Sequence, residues 1–132
     1  MLWLAGAEPL PFFRQSGVTT DSEGFMLVNE ALQSVRYPSL FGAGDCVSME
    51  QRPVPKNGVY AIRQAPVLWE NLKRMNRGAS LCSFRPQRKY MAILSTGHKE
   101  GLLSYGNLAV HHRLCFHLKH YIDSKFISKY GT

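Results

Sequence analysis

The chain has 132 residues, 45% hydrophobic and 19% charged, a balance that excludes extended disorder and allows one domain or part of a larger one. Sixteen Lys and Arg against nine Asp and Glu leave a formal charge of +7. The excess is concentrated in residues 73–129, where Glu100 and Asp123 alone oppose the cations, so the C-terminal half suits an anionic surface, lipid or nucleic acid.

Cys46, Cys82 and Cys115 are widely spaced and form no CxxC pair, which argues against a disulfide framework and for a reducing, cytoplasmic setting. The apolar opening meets Glu8, Pro9 and Pro11 with no basic residue before it, unlike a signal peptide. Nothing approaches the roughly 20 apolar residues of a membrane span.

In chain order, residues 2–5 read as a short buried strand closed by Gly6, and a chain that begins inside a strand is expected to lack what came before. Pro9 and Pro11 make residues 8–13 an extended crossing. Residues 17–20 and 24–28 flank Asp21-Ser22-Glu23 as a hairpin. Residues 29–34 allow only a helical turn, and a buried strand is predicted over 39–42. It ends at Gly42-Ala43-Gly44-Asp45, where glycines leave a carboxylate open to ligand approach.

A loop with two prolines leads to a helix over residues 58–74, capped by Asn57 and closed by Asn76-Arg77-Gly78. Its predicted core face is Ile62, Ala65, Leu68, Trp69, Leu72 and Met75, and Pro66 should kink it. Strands are expected at 90–94 and 102–105 around a turn at 98–101. An amphipathic helix over 110–130 follows, with Leu114, Leu118, Ile122 and Phe126 four apart.

Chemically, Asp45 is either a plain cap on a tight turn or an acceptor for ligand hydroxyls. The N–H groups of Gly58, Val59 and Tyr60 at the following helix start are a candidate anion site, the alternative being an ordinarily capped internal helix. Cys46 reads as a small buried residue at a strand end rather than a redox thiol, because no second cysteine stands near in sequence. His111, His112, His117 and His120 have no accompanying carboxylate or CxxC and read as a solvated basic face, so no metal is expected. No catalytic residue is assignable.

The stretch 2–72 resembles the C-terminal part of the pyridine nucleotide-disulfide oxidoreductase superfamily, flavoproteins with two dinucleotide domains. Leu4-Ala5-Gly6-Ala7-Glu8-Pro9 is similar to the return from the NAD(P) domain to the FAD domain, and residues 24–46 to the second FAD fingerprint. Pro55-Lys56-Asn57-Gly58-Val59 through Pro66, with Phe84-Arg85-Pro86-Gln87-Arg88, resembles the branch near type II NADH dehydrogenases and sulfide:quinone oxidoreductases. Within that branch it looks closest to the flavoprotein domain associated with selenide, water dikinase.

The resemblance implies an α/β fold, or an α+β fragment. Residues 1–76 are then the C-terminal half of an FAD-binding domain, and 77–132 a hairpin-helix extension. It implies that Gly44, Asp45, Lys56, Gly58 and Val59 contact FAD, with NAD(P)H as co-substrate and a quinone or another acceptor. The family's N-terminal GxGxxG loop is absent, so the chain alone is expected to hold no cofactor and to be inactive. The missing N-terminal dinucleotide-binding half is its implied partner.

Leu2, Trp3, Leu4, Phe12 and Phe13 then lose their cover, and self-association into a homo-oligomer is expected. The basic C-terminal helix leaves packing on the fold, a dimer contact and peripheral membrane contact open. Nucleic acid is not expected, since the aromatics do not interleave with the cations. The alternative function is a non-catalytic interaction module that uses the basic face.

Overall fold

Asp21 fixes the first bend of the chain. Its carboxylate accepts from the N–H groups of Gly24 at 2.8 Å and Phe25 at 3.0 Å, an Asx turn that aims the next residues into the interior. Strand β1 (Met26–Val28) starts there. The computed structural model describes residues 6–87 and 89–130, the Tyr130 side chain excepted. The predicted strand over 2–5, the edge residues Leu2, Trp3 and Leu4, and Arg88 lie outside them. The fold is mixed α/β and forms two compact units, Met1–Pro86 and Gln87–Thr132.

In the first unit a four-residue helix, α1 (Phe12–Gln15), buries Phe13 and leaves Phe12 half-exposed. The expected loss of cover therefore fails at Phe13. The predicted hairpin survives as the single bridge Thr20↔Met26. The main partner of β1 is β2 (Val47–Met49), which runs parallel in the register Met26↔Val47 to Val28↔Met49.

The strand predicted over 39–42 is not formed. Leu40 N–H bonds back to Tyr37 in a turn, and Phe41 makes only one bridge, to Gln33. The segment is bound locally, with Ser34 N–H on Leu40 and Gly42 N–H on Leu32, and the strand comes after Gly44-Asp45. A Cβ at Gly42 would collide with Met26 and Val47 side chains. The core around this pair is Phe25, Met26, Val28, Leu32, Val47, Met49, Tyr60 and Phe84.

Helix α2 (Gly58–Asn76) is capped by Asn57, whose side chain accepts from Val59 and Tyr60 N–H. At its other end Gly78 takes a φ of +64 while Ala79 N–H reaches back to Arg74, as a glycine stop does. The helix passes through Pro66 as one element. Its buried face, however, is not the predicted one.

Ile62, Ala65, Trp69, Leu72 and Met75 are exposed, Trp69 at 65%, and Leu68 is half-buried, whereas Gln64 and Asn71 are buried at 1% and 0%. The reason lies in the loops below, which present polar backbone that only side-chain amides can satisfy. The Asn71 amide donates to the carbonyls of Ala31 and Cys82, both at 2.8 Å, and accepts from Cys82 N–H at 2.7 Å.

The second unit is an antiparallel sheet in the order β3 (Met91–Gly97), β4 (Glu100–Tyr105), β5 (Leu108–His112), followed by α3 (Arg113–Tyr130). The β3–β4 hairpin is as predicted. Strand β5 takes the residues expected to open the helix, because the turn at Gly106 (φ +59) returns Leu108 onto Tyr105 and Val110 onto Leu103.

Helix α3 packs on β4 at Gly101, where a Cβ would stand 2.8 Å from Phe116 N. Among the described side chains of α3, Cys115 is buried. Leu118, Ile122 and Phe126 are only partly covered, and Leu114 is 70% exposed.

Asn71→Leu should remove about 3 kcal/mol or more, since a buried polar group left without its partner costs about 1–3 kcal/mol and three are affected. Trp69→Lys, on the opposite side of the same helix, should stay within about 0.5 kcal/mol. Urea unfolding of the two variants beside the parent checks both.

Candidate functional site

The Gly44-Asp45 corner is built from a backbone shape and one side-chain bond. Ala43 is extended, Gly44 has a φ of +78, and residues Gly44–Cys46 make one 3₁₀ turn. The positive φ requires glycine, while a Cβ there would meet only Ala61 Cβ, at an ordinary 3.4 Å. The turn is pinned from α2: Gly44 N–H donates to Gln64 Oε1 at 2.6 Å. Asp45 and Cys46 consequently stand on an exposed knuckle. Cys46 is thus not the buried strand-end residue expected, although its thiol stays close to the Ala43 carbonyl, 3.2 Å away.

The start of α2 lies beside that knuckle, as the Gln64 and Ala61 contacts with Gly44 require. The anion site expected from three free N–H groups is reduced. Asn57 Oδ1 takes those of Val59, at 3.1 Å, and Tyr60, at 3.2 Å, so the cap consumes what a ligand would use. Gly58 remains exposed, with nothing within 4 Å of where a Cβ would be.

Lys56 turns inward. Its ammonium donates to the Val47 carbonyl and sits 4.1 Å above the Phe25 ring, a placement that combines a charge-assisted hydrogen bond with a cation–π contact. Burial pulls its pKa below the ordinary lysine range, and the nearby charges of Asp21, Asp45, Glu23 and Cys46 oppose that fall. For Asp21 the balance runs the other way. Burial favours its neutral form, but the N–H groups of Gly24 and Phe25, the Ser48 hydroxyl and the Lys56 charge together hold it below the usual carboxylate range.

The five predicted residues therefore gather where β2 begins and α2 starts. Gly44 and Asp45 form the knuckle, Gly58 and Val59 the first turn of the helix, and Lys56 lies beneath. Three residues that organise them were missed: Asp21, Gln64 and Asn71. The Asp21-x-x-Gly24 spacing is an Asx-turn signal, and Gln64 and Asn71 stand seven apart on one helical stripe. That spacing is visible in the sequence, but its inward direction is not.

A hollow of about 320 Å³ elsewhere in this unit is lined by Pro9, Leu10, Pro11, Arg14 and Gly24 and contains none of the five. Among the described residues no group of three or more His, Cys, Asp or Glu could hold a metal. Nor is any helix among them long and apolar enough to cross a membrane.

Because its folded-state pKa is depressed, Asp21 contributes stability that is present above the unfolded carboxylate value, about pH 4. That contribution is lost as the pH falls through the lower folded value. Asp21→Asn keeps an oxygen for Gly24 and Phe25 and removes the charge. The variant should melt below the parent at pH 7, and the gap should close in acid below about pH 4; melting curves at pH 7 and pH 2.5 check the sign.

No family model matches the chain. Over 108 residues it is 27% identical to a Dictyostelium discoideum protein described as a probable NADH dehydrogenase, a match that covers 78% of this chain. The same match covers 23% of that protein, so the chain spans less than a quarter of the length of the relative it matches. What the chain is similar to is therefore one part of an NADH dehydrogenase-like oxidoreductase.

Proposed function

We propose that this chain is the C-terminal, flavin-contacting part of an FAD-dependent NAD(P)H oxidoreductase of the pyridine nucleotide-disulfide oxidoreductase superfamily. We place it on the branch that holds the type II NADH dehydrogenases and the flavoprotein domain associated with selenide, water dikinase. The observation that carries the reading is the exposed Asp45 carboxylate, set on a turn of fixed shape beside the open first turn of α2. The likeness to a probable NADH dehydrogenase supports it.

The residues fit one edge of an FAD site. Asp45 would accept hydrogen bonds from ribityl or ribose hydroxyls. Gly58 has no side chain to bar a flat ring, and its N–H and the helix dipole favour negative charge there. Lys56 and Val59 would act from behind this edge, the first through its charge and the second as part of the capped turn. A bound flavin would supply a two-electron acceptor for the hydride of NAD(P)H.

No GxGxxG loop is present to cradle the pyrophosphate and adenosine. An N-terminal dinucleotide-binding half would complete the site, and the outward stripe Ile62, Ala65, Trp69 and Leu72 offers apolar surface to a half of that kind. The reading is tested by mixing the purified chain with such a half and looking for bound yellow flavin. Absence of flavin from the mixture would sink it. In the mixture Asp45→Ala should weaken retention by about 1.5–3 kcal/mol, the worth of a hydrogen bond to a charged group. Unchanged flavin content after dialysis would count against Asp45.

A second reading concerns the last helix. Leu114, Tyr121 and Ile127 are exposed at 70%, 64% and 67%, and Lys125 is exposed on the same helix. This is more apolar surface than packing on the sheet explains, and it suits an interaction module that meets an anionic lipid surface. The chain should then sediment with anionic vesicles at low salt and lose part of that binding at high salt, each cation contributing about 1 kcal/mol. Indifference to vesicles at both salt levels rules this out.

A further inference from the structure

We propose that Gln64 is a positioning residue for the cofactor edge, acting through Gly44 to present Asp45; the inference rests on the flavin reading given above. Gln64 is 1% exposed, and side-chain amides of that kind are rarely placed inside a fold without a partner that needs them. Its partner is a backbone N–H twenty residues earlier in the chain, held at 2.6 Å. That N–H belongs to the residue whose φ of +78 sets the direction of the turn.

Glycine at this position is conformationally permissive, so the shape of the turn is not secured by its own dihedral preferences. Val47 N–H closes the turn on the Gly44 carbonyl, and the Gln64 bond holds its other end, at the Gly44 N–H. Gly44 N–H has its bond to Gln64, and the next residue along is Asp45. With the bond made, the Ala43–Gly44 peptide plane is held from α2 while Val47 N–H holds the Gly44 carbonyl, and between these two ties the carboxylate stays on one side of the turn. Without it, only the Val47 tie remains, Gly44 gains access to both signs of φ, and Asp45 follows.

The same bond explains why the helix is turned polar side in. If the apolar stripe of Ile62, Ala65 and Trp69 faced the interior, Gln64 would face solvent and the Gly44 N–H would lose its partner. Asn71, seven residues on, fixes the rotation from the other end of the same face by holding Ala31 and Cys82. Two amides thereby register the helix against the loops, and only Gln64 touches the corner where ligand is proposed to bind. Lys56 secures the floor of that corner at Val47, so the turn is tied on two sides by side chains from outside it.

The test uses the full chain, alone and mixed with the dinucleotide-binding half, as Gln64→Met, Gln64→Glu, Asp45→Ala and Asp45→Ala with Gln64→Met. Methionine keeps the volume and removes the acceptor, whereas glutamate keeps an acceptor oxygen. Amide exchange at Gly44, read by NMR on the chain alone, should be slow in the parent, faster in Gln64→Met, and slow again in Gln64→Glu. FAD retention in the mixture should fall about tenfold in Gln64→Met, the scale of one lost hydrogen bond. It should recover in Gln64→Glu and fall no further when Gln64→Met is added to Asp45→Ala.

Equal exchange at Gly44 in all the chains overturns the inference. So does a full additional loss on the Asp45→Ala background, which would mean that Gln64 acts only through general stability. If the parent mixture holds no flavin, the flavin reading fails, while the Gly44 exchange rates still decide whether Gln64 fixes the turn.

Discussion

Two side-chain amides on one face of α2 carry the organisation of the first unit. Gln64 reaches the Gly44 backbone and Asn71 reaches Ala31 and Cys82, so a single helix gathers three loops that share no regular secondary structure. Hydrophobic burial supplies the driving force for the small core of Phe25, Met26, Val28, Leu32, Val47 and Met49. In α2, however, it does not set the rotation of the helix about its axis, since Ile62, Trp69 and Leu72 stay exposed. Hydrogen bonds to backbone groups that would otherwise be buried and unpaired make that choice.

What was legible in the sequence was local. The Asn57 cap, the Gly78 stop and the β3–β4 hairpin depend on residues a few positions apart, and each was read correctly. The pairing of β1 with β2 joins segments separated by two loops, and no turn residue between them announces a parallel partner. The strand expected over 39–42 is replaced by short-range bonds within its own loop. Gly42 lies too close to Met26 and Val47 to carry a side chain, and the neighbouring backbone finds its partners in its own loop.

The face of α2 was misread because apolar periodicity says where the apolar residues are, not which way they point. Where a helix must satisfy loop backbone, the amide stripe wins and the apolar stripe is left outside. The candidate site shows a related limit. Gly44 and Asp45 are expected from the Gly42-Ala43-Gly44-Asp45 motif and the family resemblance, but two of the three N–H groups expected beside them are spent on the Asn57 cap. Lys56, read as a ligand contact, has its ammonium under the Val47 carbonyl. The sequence named the residues at this corner without saying which already had partners.

The close approach of α3 to Gly101 carries a mechanical implication. The contact lies in the first turn of an 18-residue helix, which at 1.5 Å per residue extends about 27 Å. At this end the helix rests on a spot defined by an atom that is not there, and Leu118, Ile122 and Phe126 are partly covered further along. A single methyl at that pivot would not be absorbed by a side-chain rotation, because what it meets is backbone. It would tilt the rod, and the displacement would grow with distance from the seat. The line taken by the whole helix therefore depends on one glycine near its start.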